Sequence, residues 1–284
     1  MSLDAARELL RESTVPDALR VLGEDEVGSY AVDEARLLYF AEGATQFLCE
    51  ELDAALLART LHVFVELEPA EEDAPIPLGA SKLKGLPHLP EGVAWPEGQY
   101  FAGQLDCSEL APHGQGVFPD RGWLFFFFNG ATDATVLYFD GPRERLRVTP
   151  YPDAATLPDS KYYLEDFRDD ETRVQPKPGW ILYVGGDAYG YDEVMHLVPP
   201  ELADALTAVL GFGPKSSAAD DQLLGRPLWW QGEDERWPDD EHEPSTEVLL
   251  FQQEFGEGHV HFWGAPDAVR QGKLDEVWLS YSGT

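Results

Sequence analysis

Four consecutive phenylalanines, Phe125 to Phe128 within GWLFFFF, constrain the fold of this chain more than any other stretch. Successive side chains of a strand point to opposite faces, so a strand with rings at every position must be covered on both sides. Such a strand sits in the middle of a sheet, under helices or a second sheet. Around it run short alternating segments separated by Pro and Gly turns. Gln99–Asp106 is one; Thr135–Asp140 and Arg145–Thr149 form an expected hairpin around Gly141-Pro142. Trp180–Val184, Glu193–Val198, Glu247–Phe255, Gly258–Trp263 and Glu276–Tyr281 follow. Helices are expected only after Pro199-Pro200 and over Ala265–Gly272. Strands in runs favour antiparallel pairing over a doubly wound parallel sheet.

Residues 1–68 read differently. Leu3, Ala6, Leu9 and Leu10 recur at helical spacing, and Glu34–Leu61 reads as a long amphipathic helix. His62–Glu68 then alternates as a strand, and an acidic, proline-bearing linker follows. The expected class is therefore α+β: mostly antiparallel sheets, an internal pseudo-duplication and an N-terminal helical segment. The expected domains are an acidic helical segment, 1–75, and a sheet-rich domain, 76–284.

The pseudo-duplication is an echo. Lys82-Leu83-Lys84-Gly85-Leu86-Pro87 is answered by Gln222-Leu223-Leu224-Gly225-Arg226-Pro227, and Trp95-Pro96 by Trp237-Pro238. Phe101-Ala102-Gly103-Gln104-Leu105-Asp106 is answered by Leu249-Leu250-Phe251-Gln252-Gln253-Glu254. The related halves span about 79–150 and 220–284.

Charge bounds the partners. Against 53 acidic residues stand 20 basic ones, a net −33. That field repels nucleic-acid phosphates and anionic lipid, so neither nucleic acid nor membrane is expected as a partner. A basic protein is the expected partner, although an acidic or high-salt proteome produces the same composition. Cys49 and Cys107 have no metal or disulfide spacing and read as small buried hydrophobes. No signal peptide or long apolar run stands out, so a cytoplasmic location is expected. No cofactor is expected. The loop Gly185–Gly190 lacks the following helix and lysine of a phosphate site, and nucleophile-elbow and zincin motifs are absent.

Three places carry candidate chemistry. In each echo strand, Gln104 with Asp106 and Gln252 with Glu254 share a face at i, i+2 spacing. If the halves pack about a twofold axis, these pairs make a ligand or acid/base site. The alternative is that each glutamine holds the neighbouring turn and each acid meets water. His259 and His261 share a strand face and are metal candidates if a carboxylate joins them. The insertion Glu233–Glu243 holds seven acids in eleven residues. Trp230, Glu233, Asp234, Trp237, Asp239 and Asp240 are its candidate contacts for a basic partner. Two functions follow: a non-enzymatic acidic binding protein of immunity or regulator type, or a small-molecule or cation binder, an enzyme included.

The ordered set SKLKGLPHLPEGVAWP, FAGQLDCSEL, GWLFFFF, DQLLGRPLWWQG, LLFQQEF and KLDEVWLSYS resembles the YwqG-like family, bacterial domains of unknown function, from about Gly79 onward. The resemblance implies a sheet-rich α+β fold and no activity. Gln253 departs from the pattern, standing where the family has an apolar residue.

Overall fold

The computed structural model describes residues 61–70, 75–130, 132–157, 165, 167–182, 220–225, 227–228 and 247–283. The chain divides into two compact units, Met1–Val63 with Trp180–Ser217 and Pro238–Glu243, and Phe64–Gly179 with Ala218–Trp237 and Pro244–Thr284. The second holds nearly all the described residues.

Its strands are β1 (Leu61–Pro69), β2 (Lys82–Leu83), β3 (His88–Pro90), β4 (Tyr100–Asp106), β5 (Trp123–Phe128), β6 (Ala134–Phe139), β7 (Leu146–Val148), β8 (Thr172–Leu182), β9 (Gln222–Leu224), β10 (Val248–Glu254), β11 (Gly258–Gly264) and β12 (Trp278–Gly283). Ten of them form one sheet, in the order β12-β11-β10-β9-β1-β8-β2-β4-β5-β6. From its two ends inward the order matches β12 with β6, β11 with β5, β10 with β4, β9 with β2, and β1 with β8. The echo segments occupy matching places. Both β4 and β10 carry a bulge, between Phe101 and Gly103 and between Leu249 and Phe251. Two left-handed residues come at the end of each short strand: Lys84-Gly85 directly after β2, and Leu224, the last residue of β9, with Gly225. β12 comes within 8 Å of β6, so the sheet curls into a nearly closed barrel.

β5 is flanked by β4 and β6, both antiparallel. Phe126 and Phe128 point inward. Phe126 meets Phe251 at 4.9 Å and Phe262 at 5.3 Å, and Phe128 meets Phe255 at 5.0 Å. Trp123, Phe125 and Phe127 point outward, under the two-stranded sheet of β3 and β7, whose Leu89 and Leu146 pack on them. Each face of the four-phenylalanine strand therefore has its own cover, as its composition demands.

Three expectations need correction. The α+β class gives way to a mostly β architecture. Among the described residues, α-helix is confined to α1 (Cys107–Leu110), α2 (Pro266–Arg270) and residues 165 and 167–169, and α2 is stopped early by Gly272 at φ +69°. The N-terminal helical segment lies outside the described residues up to position 60. The hairpin of β6 with residues 145–149 does not form. A 3₁₀ turn at Arg143–Arg145 leads the chain out of the sheet, so that Leu146 drops onto the phenyl rings and β7 pairs with β3. Finally, β8 begins at Thr172 rather than Trp180, its start concealed by Pro176 and Pro178, which argue against a strand interior.

Gly122 is one position where only glycine fits. Its φ is +88°, and a Cβ there would lie 2.5 Å from the Phe139 carbonyl oxygen. Gly122→Ala is expected to cost about 2–3 kcal/mol in denaturant unfolding. Gly92→Ala, at φ +86° with nothing within 4 Å, should cost only about 1 kcal/mol. Equal losses would show that backbone strain alone sets the effect.

Candidate functional site

Gln104 lies opposite Lys82 in the β2–β4 pairing, and its buried amide ties the chain just before β2 to the start of β3. Oε1 accepts from the His88 backbone N–H at 2.7 Å, and Nε2 donates to the Ala80 carbonyl at 2.9 Å. Gln252 lies opposite Gln222 and does the same in the second half. It accepts from Leu228 N–H at 2.7 Å and donates to Asp220 O at 3.3 Å. The task needs one donor and one acceptor on a planar group, which a side-chain amide supplies. Each glutamine is thus engaged with its own loop. With β9, β1, β8 and β2 standing between β10 and β4 in the sheet order, the two Gln-x-acid faces do not meet.

The acids part company. Asp106 Oδ1 accepts from Ser108 N at 3.0 Å and Ser108 Oγ at 2.6 Å, capping α1, while Oδ2 receives Arg143 Nη2 at 3.0 Å. Glu254 is exposed at the end of β10, directly opposite His259. Its backbone N–H reaches Asp221 Oδ1 at 3.4 Å.

The outward positions of β11 distinguish the halves. Where β5 carries Trp123, Phe125 and Phe127, β11 carries His259, His261 and Trp263. The imidazole centroids are 6.4 Å apart. His259 Nε2 lies 3.3 Å from Asp220 Oδ1. His261 Nε2 donates to Leu228 O at 3.1 Å, which commits that nitrogen to a carbonyl, and Nδ1 is 3.5 Å from Ser280 Oγ. Burial pushes His261 down to about 3. It also lowers His259, against the pull of Asp220. Burial of the Asp221 carboxyl, with Asp220 and Glu254 adding to it, raises that group to about 6. Asp220, Asp221, Glu254 and His259 therefore form one acidic corner. Among the described residues, no three His, Cys, Asp or Glu side chains are grouped to hold a metal.

Some buried polar groups escaped the sequence reading. Lys82 is fully buried, with Nζ donating to Glu171 and to the Leu86 carbonyl. His88, whose Nδ1 accepts from Gly79 N–H at 2.9 Å, is held down at about 4 by burial and then by Lys82. Lys82 and Glu171 are too far apart in sequence for spacing to announce the pair. Gln253 is completely buried; Nε2 donates to Ala102 O at 3.1 Å and Oε1 has no hydrogen-bond partner. Here a signal existed, namely an amide at a position that faces phenylalanines. Cys107 is fully buried and pushed up to about 12 by burial, then by Asp106. Trp230, Glu233, Asp234, Trp237, Asp239 and Asp240 lie outside the described residues.

Among the described residues, no helix is long and apolar enough to cross a membrane. A comparison with curated proteins found no match. Residues 81–282 match the sequence model of a family described as Domain of unknown function (DUF1963), nearly the span over which the motifs pointed to such a family. That match covers most of the chain, which belongs to the Domain of unknown function (DUF1963) family.

Proposed function

We propose that the protein is a non-enzymatic binding protein of the cytoplasm that engages a basic protein partner, as an immunity protein or regulator does. The observation that carries this reading is the net charge of −33. Such a field accelerates encounter with a basic surface and disfavours acidic competitors. The acidic corner of Asp220, Asp221 and Glu254 supports it, because carboxylates gathered at one sheet end suit a lysine or arginine. The YwqG-like resemblance adds no activity to this reading.

The test is recovery of a partner from the native host at low salt, followed by kinetics with the two purified proteins. Association should slow at least tenfold between about 50 and 300 mM salt. Asp220→Asn with Glu254→Gln should slow it several-fold further at low salt, with dissociation little changed. A partner whose association ignores salt would sink the reading.

A second reading, a small polar or cationic ligand at the same corner, has in its favour the meeting of Asp221, Glu254 and His259. Thermal shifts across a metal and metabolite panel decide it. No shift with any compound removes it.

A further inference from the structure

We propose that Asn129 is a site of spontaneous covalent modification. The turn between β5 and β6 promotes attack of the Gly130 backbone nitrogen on the Asn129 side-chain amide, which leaves aspartate and isoaspartate at position 129. This holds whatever the protein binds.

The sequence isolates the site. Asn129 is the only asparagine in 284 residues, and Gly130 follows it. Asparagine is thermolabile because the next backbone nitrogen reaches its Cγ through a five-membered ring, and a following glycine puts no side chain in the way. Gly130 has φ +111°, and a Cβ there would meet nothing within 4 Å. Among the described residues, no backbone carbonyl takes the Gly130 N–H. The attacking nitrogen is therefore neither packed against nor tied to a described group.

The turn also prepares the carbon under attack. Asn129 Oδ1 accepts from the Asp133 backbone N–H at 2.9 Å, from the Thr132 hydroxyl at 3.3 Å and from the Thr132 N–H at 3.4 Å. These donors converge on the oxygen that carries the negative charge of the tetrahedral intermediate, as in an oxyanion hole. Nδ2 donates to Asp133 Oδ2 at 2.6 Å, which holds the amide in that orientation. Thr132 and Asp133 are exposed, so the departing nitrogen lies where water can protonate it.

Solvent base takes the Gly130 N–H proton as the nitrogen bonds to Asn129 Cγ. The bond from Cγ to Nδ2 then breaks, and ammonia leaves with a proton from water. Water opens the cyclic imide at either carbonyl: opening at one gives aspartate, and opening at the other leaves the main chain running through Cβ and Cγ as isoaspartate. One water is consumed and one ammonia released, with no change of oxidation state. Both products strain the turn. Asn129 N–H donates to Asp133 O at 3.1 Å, next to the Phe128–Ala134 pair. Aspartate sets a carboxylate against Asp133 where the amide now donates, and isoaspartate adds a carbon to the loop which that bond closes.

The experiment is incubation of the full chain in mildly alkaline buffer at physiological temperature, beside a synthetic peptide of residues 126–135. Mass spectrometry with peptide mapping should find a gain of about one dalton at Asn129, at a rate no slower than the peptide's. An isoaspartate methyltransferase should label the product at that position, and the converted chain should melt lower than the parent. Asn129→Gln should abolish the gain, because glutamine must form a larger ring. Asp140-Gly141 can pass through the same imide, but it exchanges only water and gains no mass. Thr132→Val removes the hydroxyl donor at an exposed position. It should slow the full chain at least threefold and leave the corresponding peptide unchanged. A full chain that converts at least tenfold more slowly than the peptide overturns the proposal, since the turn then protects the amide. A Thr132→Val chain with the parental rate, or equal slowing in chain and peptide, also overturns it.

Discussion

Gln104→Leu is expected to lower unfolding free energy by about 3–5 kcal/mol, because two backbone groups lose their partners at once. The leucine is close in size, so packing changes little, but His88 N–H and Ala80 C=O are left without the amide that now serves them. A buried group stranded in this way costs about 1–3 kcal/mol. Gln252→Leu should cost less, about 2–3 kcal/mol, since its bond to Asp220 O is already long at 3.3 Å and Leu228 is only half-buried. Denaturant titration reads both. A loss below about 1 kcal/mol for Gln104→Leu would mean that the amide does not hold the turn.

Acidification from pH 6.5 to 5 is expected to weaken the fold by about 2–3 kcal/mol. His88 and His261 stay neutral in the native state down to about 4 and about 3, whereas in the unfolded chain each takes a proton near its ordinary 6.5. Through this window the unfolded state binds more protons, so stability falls as pH falls. His259, also lowered, acts in the same sense. Asp221 opposes them: raised to about 6 from 3.8, it binds its proton earlier in the native state, adding stability as pH drops below 6. Below about pH 5 the general protonation of carboxylates relieves self-repulsion, so the histidine signal is cleanest above that. His261→Phe installs the residue found at the matching outward position of β5, Phe125. It should flatten the pH dependence by up to one proton, about 1.4 kcal/mol per pH unit, even though the Leu228 carbonyl loses a donor. A variant with the parental slope would falsify the assignment.

How much of this was legible in the sequence varied by element. β4, β5, β10 and β11 announce themselves because each is long enough for its pattern to show. β2, β3 and β9 are two or three residues long and leave no periodic trace. The glutamine roles were half legible. The i, i+2 spacing puts Gln104 and Asp106 on one face, and turn-holding stood among the alternatives. The spacing says nothing of the α1 N-terminus and Arg143 guanidinium that engage Asp106. The Lys82–Glu171 pair was invisible, since charge partners brought together by a sheet carry no local signal.

By itself the sequence determined that a double-faced aromatic strand must be buried centrally, that the chain repels polyanions, and that one stretch returns in a second form. These are local or summed properties, and burial and Coulomb energy depend on them directly. Only the tertiary structure decided what covers each face: the barrel interior on one side of β5, and β3 with β7 on the other. It also decided that matching strands of the two echoes differ in chemistry, with phenyl rings outward on β5 and imidazoles outward on β11. The reason is that a pattern records the need for burial or pairing, while the partner that meets it comes from segments tens of residues away, positioned by strand order and register.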